Sequence, residues 1–450
     1  MRKLLLVFLT IQLVLQDFSF SQTSREAIKY FNEINNLWET SKFDTAIDYS
    51  IKLSKLAPRM FTDKIHSSLS QRILTDKLHS NSSKFLKLLY QTNNVNINQI
   101  ITPIHTLNSI IETNDKDSVL ILVRLFLSSL SDTCNYLSKA ESYGLLIIKQ
   151  MDNKTVYDNF LKEQLIQKII QNIKANRNID STLLNNRYEN EKRAWCRYVL
   201  SYSYYLLYQL NSDDIQAERN LKLAAKYSPD IYDRQFEYAY FYEAAMLTKN
   251  TKEIGFERYY IEYLIQNDRK DEALFIVTLK TVSEATNTNF SKLQTLYKEL
   301  DYDKPFTQYW EDAINKTAKT TPNISVRFID TVVDFAKQTG KWVYIDVWGT
   351  WCSPCIKELP ELEKLYQDNL TNRETKLLIY TFSYNSTNLK DFLTTNKYSF
   401  PVVEIDDSVI AAFSVDGFPT KILITPQRKY LKIPFGVDWQ QYLKNYSMIK

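Results

Sequence analysis

The most specific chemistry in the sequence is carried by Cys352-Ser353-Pro354-Cys355, near the C-terminal end. The apolar run Trp342-Val343-Tyr344-Ile345-Asp346-Val347 ahead of it reads as a buried strand, and Ile356 to Tyr366 behind it has helical spacing. Two thiols at the point where a strand turns into a helix make a redox pair. Unpaired N–H groups and the helix dipole favour thiolate over thiol there, so Cys352 is the expected nucleophile. Cys355, one turn in and expected to be the more buried, can attack a mixed disulfide formed on Cys352. Pro354 suits a first helical turn, where its missing N–H costs nothing. Burial raises a thiol's pKa, so some base must take the Cys355 proton. Two carboxylates are candidates, Asp346 on the incoming strand and Glu358 one helical turn beyond Cys355, and the sequence leaves the choice between them open. Zinc wants about four ligands, and no other Cys or His follows residue 300. A metal is therefore not expected here, nor any cofactor beyond a Cys352–Cys355 disulfide.

Tryptophans frame the pair in Trp348-Gly349-Thr350-Trp351-Cys352-Ser353-Pro354-Cys355, and Val415-Asp416-Gly417-Phe418-Pro419-Thr420 precedes a further apolar strand. Together these stretches resemble the thioredoxin superfamily, with its TlpA/ResA-like branch the nearest in pattern, over about residues 320–450. The resemblance implies that Pro419 follows a cis bond and that Phe418 offers its backbone to an extended substrate beside Cys352. Trp348 and Trp351 are taken as substrate-binding candidates, with shielding of the disulfide and simple packing left open beside that. It also places Asp346 at the buried-acid position of simple thioredoxins and Glu358 at the active-site acid of the TlpA/ResA-like branch. The activity implied is thiol–disulfide exchange outside the cytoplasm, on protein thiols and disulfides, with electrons from a membrane thiol carrier. The helix and strand expected between Asn388 and Ile405 resemble an insertion of that branch.

Two other readings stay beside this one. A thiol peroxidase of the same fold would need Pro-x-x-x-Thr-x-x-Cys, but Ile345 and Gly349 stand where Pro and Thr would be. A protein that binds a partner through its helices, with the redox domain as an accessory, fits the long N-terminal region.

The elements that must hold this site are set by composition. Of 450 residues 44% are hydrophobic, enough for sizeable cores. The net charge is +4 and no long Lys/Arg cluster occurs, so a nucleic-acid surface is not expected. Only Gly144 and Gly255 fall in the first three hundred residues, which reads as helix after helix. Phe43, Ala46, Leu53 and Pro58, and again Ala217, Leu221, Ala224 and Pro229, have spacings resembling tetratricopeptide-like hairpins; a non-repetitive helical bundle is the alternative. Met1-Arg2-Lys3 and the apolar Leu4–Leu15 run read as a cleavable signal peptide, predicting export to a periplasmic or extracellular space.

The expected organisation is a signal peptide over 1–21, an α-helical and tetratricopeptide-like region over 22–317, and an α/β thioredoxin-like domain over 318–450. Within the last, Lys319 to Asn323 is expected as linker, 331–338 as helix or turn, and the remainder as alternating strands and helices. Cys134 and Cys196 lie on separate helical segments, and whether they pair is open.

Overall fold

The computed structural model describes residues 22–449 except 76–80, 176–178, 182–185, 212, 250–253, 329–331, 336, 338–339 and 372–376. The expected signal peptide therefore lies outside the described residues. The chain is multi-domain, an N-terminal helical region followed by a C-terminal sheet-containing domain. By its contacts it divides into two compact units, Met1–Tyr260 and Ile261–Lys450.

The first unit is helical because little in its sequence interrupts a helix and side chains cap the ends. Asn94 accepts the Ile97 N–H at 3.2 Å, Asp115 that of Ser118 at 2.8 Å and Asp158 that of Leu161 at 2.9 Å. Helices Gln22–Glu39 and Phe43–Leu56 pack on one another, as do Arg187–Leu210 and Asp214–Tyr227. Trp38, Phe61, Phe85, Tyr143, Trp195, Tyr198 and Tyr240 fill the core. One buried acid within it is well partnered: Lys139 and His66 lie 3.3 and 3.1 Å from Glu243. Burial pushes the Glu243 carboxyl up, but the Lys139 ammonium, with His66 beside it, prevails and holds it at about 2.

The second unit has a six-stranded sheet. Its strands are β1 (Lys319–Thr320), β4 (Trp342–Trp348), β5 (Leu377–Tyr384), β6 (Val402–Ile405), β7 (Thr420–Ile424) and β8 (Lys429–Ile433), in the order β1-β8-β7-β4-β5-β6. A separate hairpin pairs β2 (Ser325–Arg327) with β3 (Val332–Asp334). Two expectations are corrected here. The supposed linker contributes Lys319 and Thr320 as an edge strand on β8, and residues 332–334 are strand rather than helix or turn. The cause is pairing: each segment is too short to show a period, and each gains its ladder from a partner, Lys319–Thr320 from β8 far along the chain and Val332–Asp334 from β2 a few residues before it.

The central strand β4 is parallel to β5 and antiparallel to β7, and all seven of its residues are buried. A strand covered on both faces reads as an unbroken apolar run. That makes Asp346 conspicuous within it.

Helices Lys270–Ser283, Asn287–Glu299 and Phe306–Thr317 belong to this unit too, so it begins ahead of the 318 boundary. Trp310 is fully buried and donates its indole N–H to the Asn445 carbonyl at 2.9 Å. Asn445 donates to the Ala285 carbonyl and Tyr446 to that of Val282, both at 2.7 Å. These bonds fasten the three helices to the closing helix Trp439–Ser447. The expected insertion is present as helix Leu389–Asn396 and β6, and Glu363 anchors it by accepting the Ser399 N–H at 2.8 Å and that of Phe400 at 3.3 Å.

Candidate active site

Cys352 immediately precedes the helix Ser353–Thr371, and its carbonyl accepts the Ile356 N–H at 3.1 Å. Its sulfur takes the place of an N-cap oxygen, accepting the Cys355 N–H at 3.3 Å. A group held there is stabilised as an anion by the helix end. Cys352 and Cys355 are joined by a disulfide, with Cα atoms 5.3 Å apart. Cys355 is the less accessible of the two, as expected, but Cys352 is nearly covered as well, at 4% exposure against 2%. Its sulfur is drawn inward onto the helix end by the bond to Cys355 and the bond from its N–H.

The turn ahead of Cys352 is tied down by its own sequence. The Cys352 N–H reaches the Gly349 carbonyl at 3.0 Å, and Thr350 donates its N–H to Ser386 Oγ at 3.0 Å. The Trp351 indole folds back to donate to the Tyr384 carbonyl at 3.0 Å. Gly349 is what permits this. A Cβ there would stand 2.6 Å from Trp351 Nε1 and 2.8 Å from the Tyr384 carbonyl oxygen.

Trp351 remains 54% exposed and meets the Phe418 ring edge-on at 5.1 Å, while Tyr384 stacks on the other side of Phe418 at 5.5 Å. The Phe418–Pro419 bond is cis. Contact between Trp351 and Phe418 places the proline loop against the cysteine turn, and the three rings form an aromatic lip, with Trp351 exposed and Phe418 and Tyr384 half-buried. Trp348 stands apart from it. It is fully buried against Phe392 and Phe400, so it cannot meet a substrate at the surface, as the expectation had it.

Beneath the cysteine helix the structure unites both candidate acids. Asp346 on β4 lies opposite Lys421 on β7 in the antiparallel register. Lys421 Nζ lies 3.5 Å from Asp346 Oδ1 and is ion-paired with Glu358. Asp346 Oδ1 has no well-formed hydrogen bond, so its contact with the lysine is a charge pairing. Burial pushes the Asp346 carboxyl above the usual carboxylate range; Lys421 opposes this and Glu358 adds to it. Tyr344 and Trp439, stacked at 5.4 Å, close the cluster, with the ammonium 5.4 Å from the Trp439 ring centre. Sequence reasoning missed Lys421. The available signal was a lone lysine in the otherwise apolar strand Thr420-Lys421-Ile422-Leu423-Ile424, two residues past Pro419.

Among the described residues no group of His, Cys, Asp and Glu could hold a metal ion.

A cis-proline loop beside a dithiol at a helix N-terminus, on a mixed sheet, defines a thioredoxin-like domain. The AhpC/TSA family profile matches residues 317–429. The chain is 28% identical over 120 residues to the thiol-disulfide oxidoreductase ResA of Bacillus subtilis, covering 26% of this chain and 66%, just under two thirds, of that protein. With ResA of Bacillus cereus the identity is 27% over 154 residues, covering 34% and 84% of the two chains. Among solved structures, a thioredoxin-family thiol:disulfide interchange protein from Chlorobium tepidum matches at 20% identity with a TM-score of 0.26, over 29% of this chain and 95% of that one. All of these matches fall in the C-terminal part of the chain.

Proposed function

We propose that the protein is an exported thiol–disulfide oxidoreductase that reduces protein disulfides through Cys352 and Cys355. The observation that carries this reading is the Cys352 sulfur at the helix start, hydrogen-bonded by the Cys355 N–H and within bonding reach of the Cys355 sulfur. In the reduced protein the Cys352 thiolate attacks a substrate disulfide, forming a mixed disulfide and expelling one substrate thiolate. Cys355 then loses its proton and attacks the Cys352 sulfur. The second substrate thiol leaves, and Cys352–Cys355 closes with the two electrons' worth of oxidation taken from the substrate.

Glu358 lies one helical turn from Cys355 and is linked through Lys421 to Asp346. In this reading the two carboxylates act as one lysine-bridged acid pair that accepts the Cys355 proton. The lip of Trp351, Phe418 and Tyr384 receives an extended, apolar stretch of substrate, with the backbone at the cis bond as its hydrogen-bonding edge. Export rests on the residue pattern of 1–21, and re-reduction by a membrane thiol carrier follows from an oxidising compartment.

The test is trapping. Intact Cys355→Ser protein should accumulate mixed disulfides on Cys352 that reductant releases, and Cys352→Ser should accumulate none. Equal capture by both variants, or none by either alongside no insulin-disulfide reduction by the wild type, would overturn the reading and favour a partner-binding role for the helices.

A further inference from the structure

We propose that Cys134 and Cys196 form a second redox site, a reversible disulfide within the helical unit. They are separated by 62 positions in sequence, yet their sulfurs lie 3.8 Å apart, in direct contact with no room for a third group between them. Bonding needs a sulfur separation of about 2.05 Å, so a further approach of roughly 1.7 Å suffices.

The two partners are unequal in a way that suits such an exchange. Cys196 sits fully buried in the middle of the long helix Arg187–Leu210, between Trp195 and Arg197. Cys134 is partly exposed and lies in the irregular stretch between helices Lys116–Ser129 and Ala140–Asn153. Just after it, Asn135 Oδ1 accepts the N–H groups of Leu137 and Ser138 at 3.0 and 3.3 Å. That turn is therefore anchored, and residues 130–134, which belong to no helix or strand, supply the freedom to close the gap. The thiol–thiol hydrogen bond with Cys196 lowers the Cys134 pKa and outweighs the opposing effect of burial. The accessible partner is thus the better nucleophile, and the buried one is left to resolve.

The oxidant is a low-molecular-weight disulfide. The Cys134 thiolate attacks one of its sulfurs, the small disulfide bond breaks, and one small thiol departs with a proton. Cys196 then surrenders its proton and attacks the Cys134 sulfur, expelling the second small thiol. Two protein thiols have lost two electrons and two protons, and one small disulfide has become two thiols. The bond would tie the stretch carrying Tyr136 and Lys139 to the helix they already pack on. Tyr136 meets Trp195 at 5.4 Å, and Lys139 Nζ stands 4.0 Å from the Tyr136 ring centre.

The test removes the other pair. Full-length protein carrying Cys352→Ser and Cys355→Ser is incubated with oxidised glutathione, denatured, alkylated and weighed intact. The expected result is loss of both alkylation sites with a mass lower by two hydrogens, and recovery of two adducts after dithiothreitol. Two adducts without reductant, or one retained glutathione, would overturn the proposal. Adding Cys196→Ser should leave glutathione held on Cys134; adding Cys134→Ser instead should leave Cys196 unmodified. The reverse pattern would overturn the assignment of roles. Because the Cys352–Cys355 pair is absent throughout, the outcome is separate from the activity proposed for that pair.

Discussion

Lys421→Met removes the cation that faces both Asp346 and Glu358. Unit charges 3.5 Å apart interact by roughly 4–5 kcal/mol at an effective dielectric of about 20. Since about 1.4 kcal/mol corresponds to a tenfold change in proton affinity, losing even a third of that interaction makes Asp346 hold a proton about tenfold more tightly. Glu358 then presses on Asp346 uncompensated, in the same direction. A larger fraction of Asp346 is then protonated at a given pH and unable to take the Cys355 proton. The step to follow is closure of the ring, read as the second, slower release of chromophore when reduced protein reacts with an aromatic disulfide. Its rate should fall about tenfold at pH 7 and recover as pH rises, while the first release, which depends on Cys352, changes little. Lys421→Arg keeps the charge and should retain most of the rate. Superimposable pH profiles for wild type and Lys421→Met would refute the idea that this lysine sets the protonation of the acids.

Asp346→Asn should stabilise the protein at neutral pH. A carboxyl whose pKa is raised by folding contributes stability that is full below its unfolded-state pKa and is lost as pH rises through the folded value. The variant should therefore be more stable than the wild type at pH 7, with an advantage that shrinks as pH falls through the usual carboxylate range; an unchanged difference in urea midpoint between pH 7 and pH 3 would contradict this. Gly349→Ala sets a methyl against Trp351 and the Tyr384 carbonyl. It should cost about 1–3 kcal/mol and loosen the Trp351 indole, visible as a red-shifted tryptophan emission. A fragment comprising 261–450 should unfold cooperatively at a higher temperature than one beginning at 318, because the cut at 318 strips the cover from Tyr446 and Asn445. Equal melting points would show that the three helices add nothing to the domain.

The sequence alone was enough for those parts of the protein whose signals are local. Cys352-Ser353-Pro354-Cys355 lies between an apolar run and a helical period, and both elements form where those patterns lie because burial and capping act over a few residues. Helix Leu389–Asn396 and strand β7 were legible for the same reason. The scarcity of glycine and proline likewise specified the helical character of the N-terminal unit.

Tertiary structure decided what depends on a distant partner. Lys319–Thr320 became a strand only by pairing with β8, more than a hundred residues on, and Trp348 turned inward because Phe392 and Phe400 were there to receive it. Asp346 and Glu358 could be named from their positions, but not the lysine between them, since register across β4 and β7 is fixed by the sheet as a whole. Sulfur contact between Cys134 and Cys196 is of the same kind. A chain can announce which groups it carries, but only folding sets the few ångströms between them, and electrostatic coupling and covalent bonding both depend on that distance.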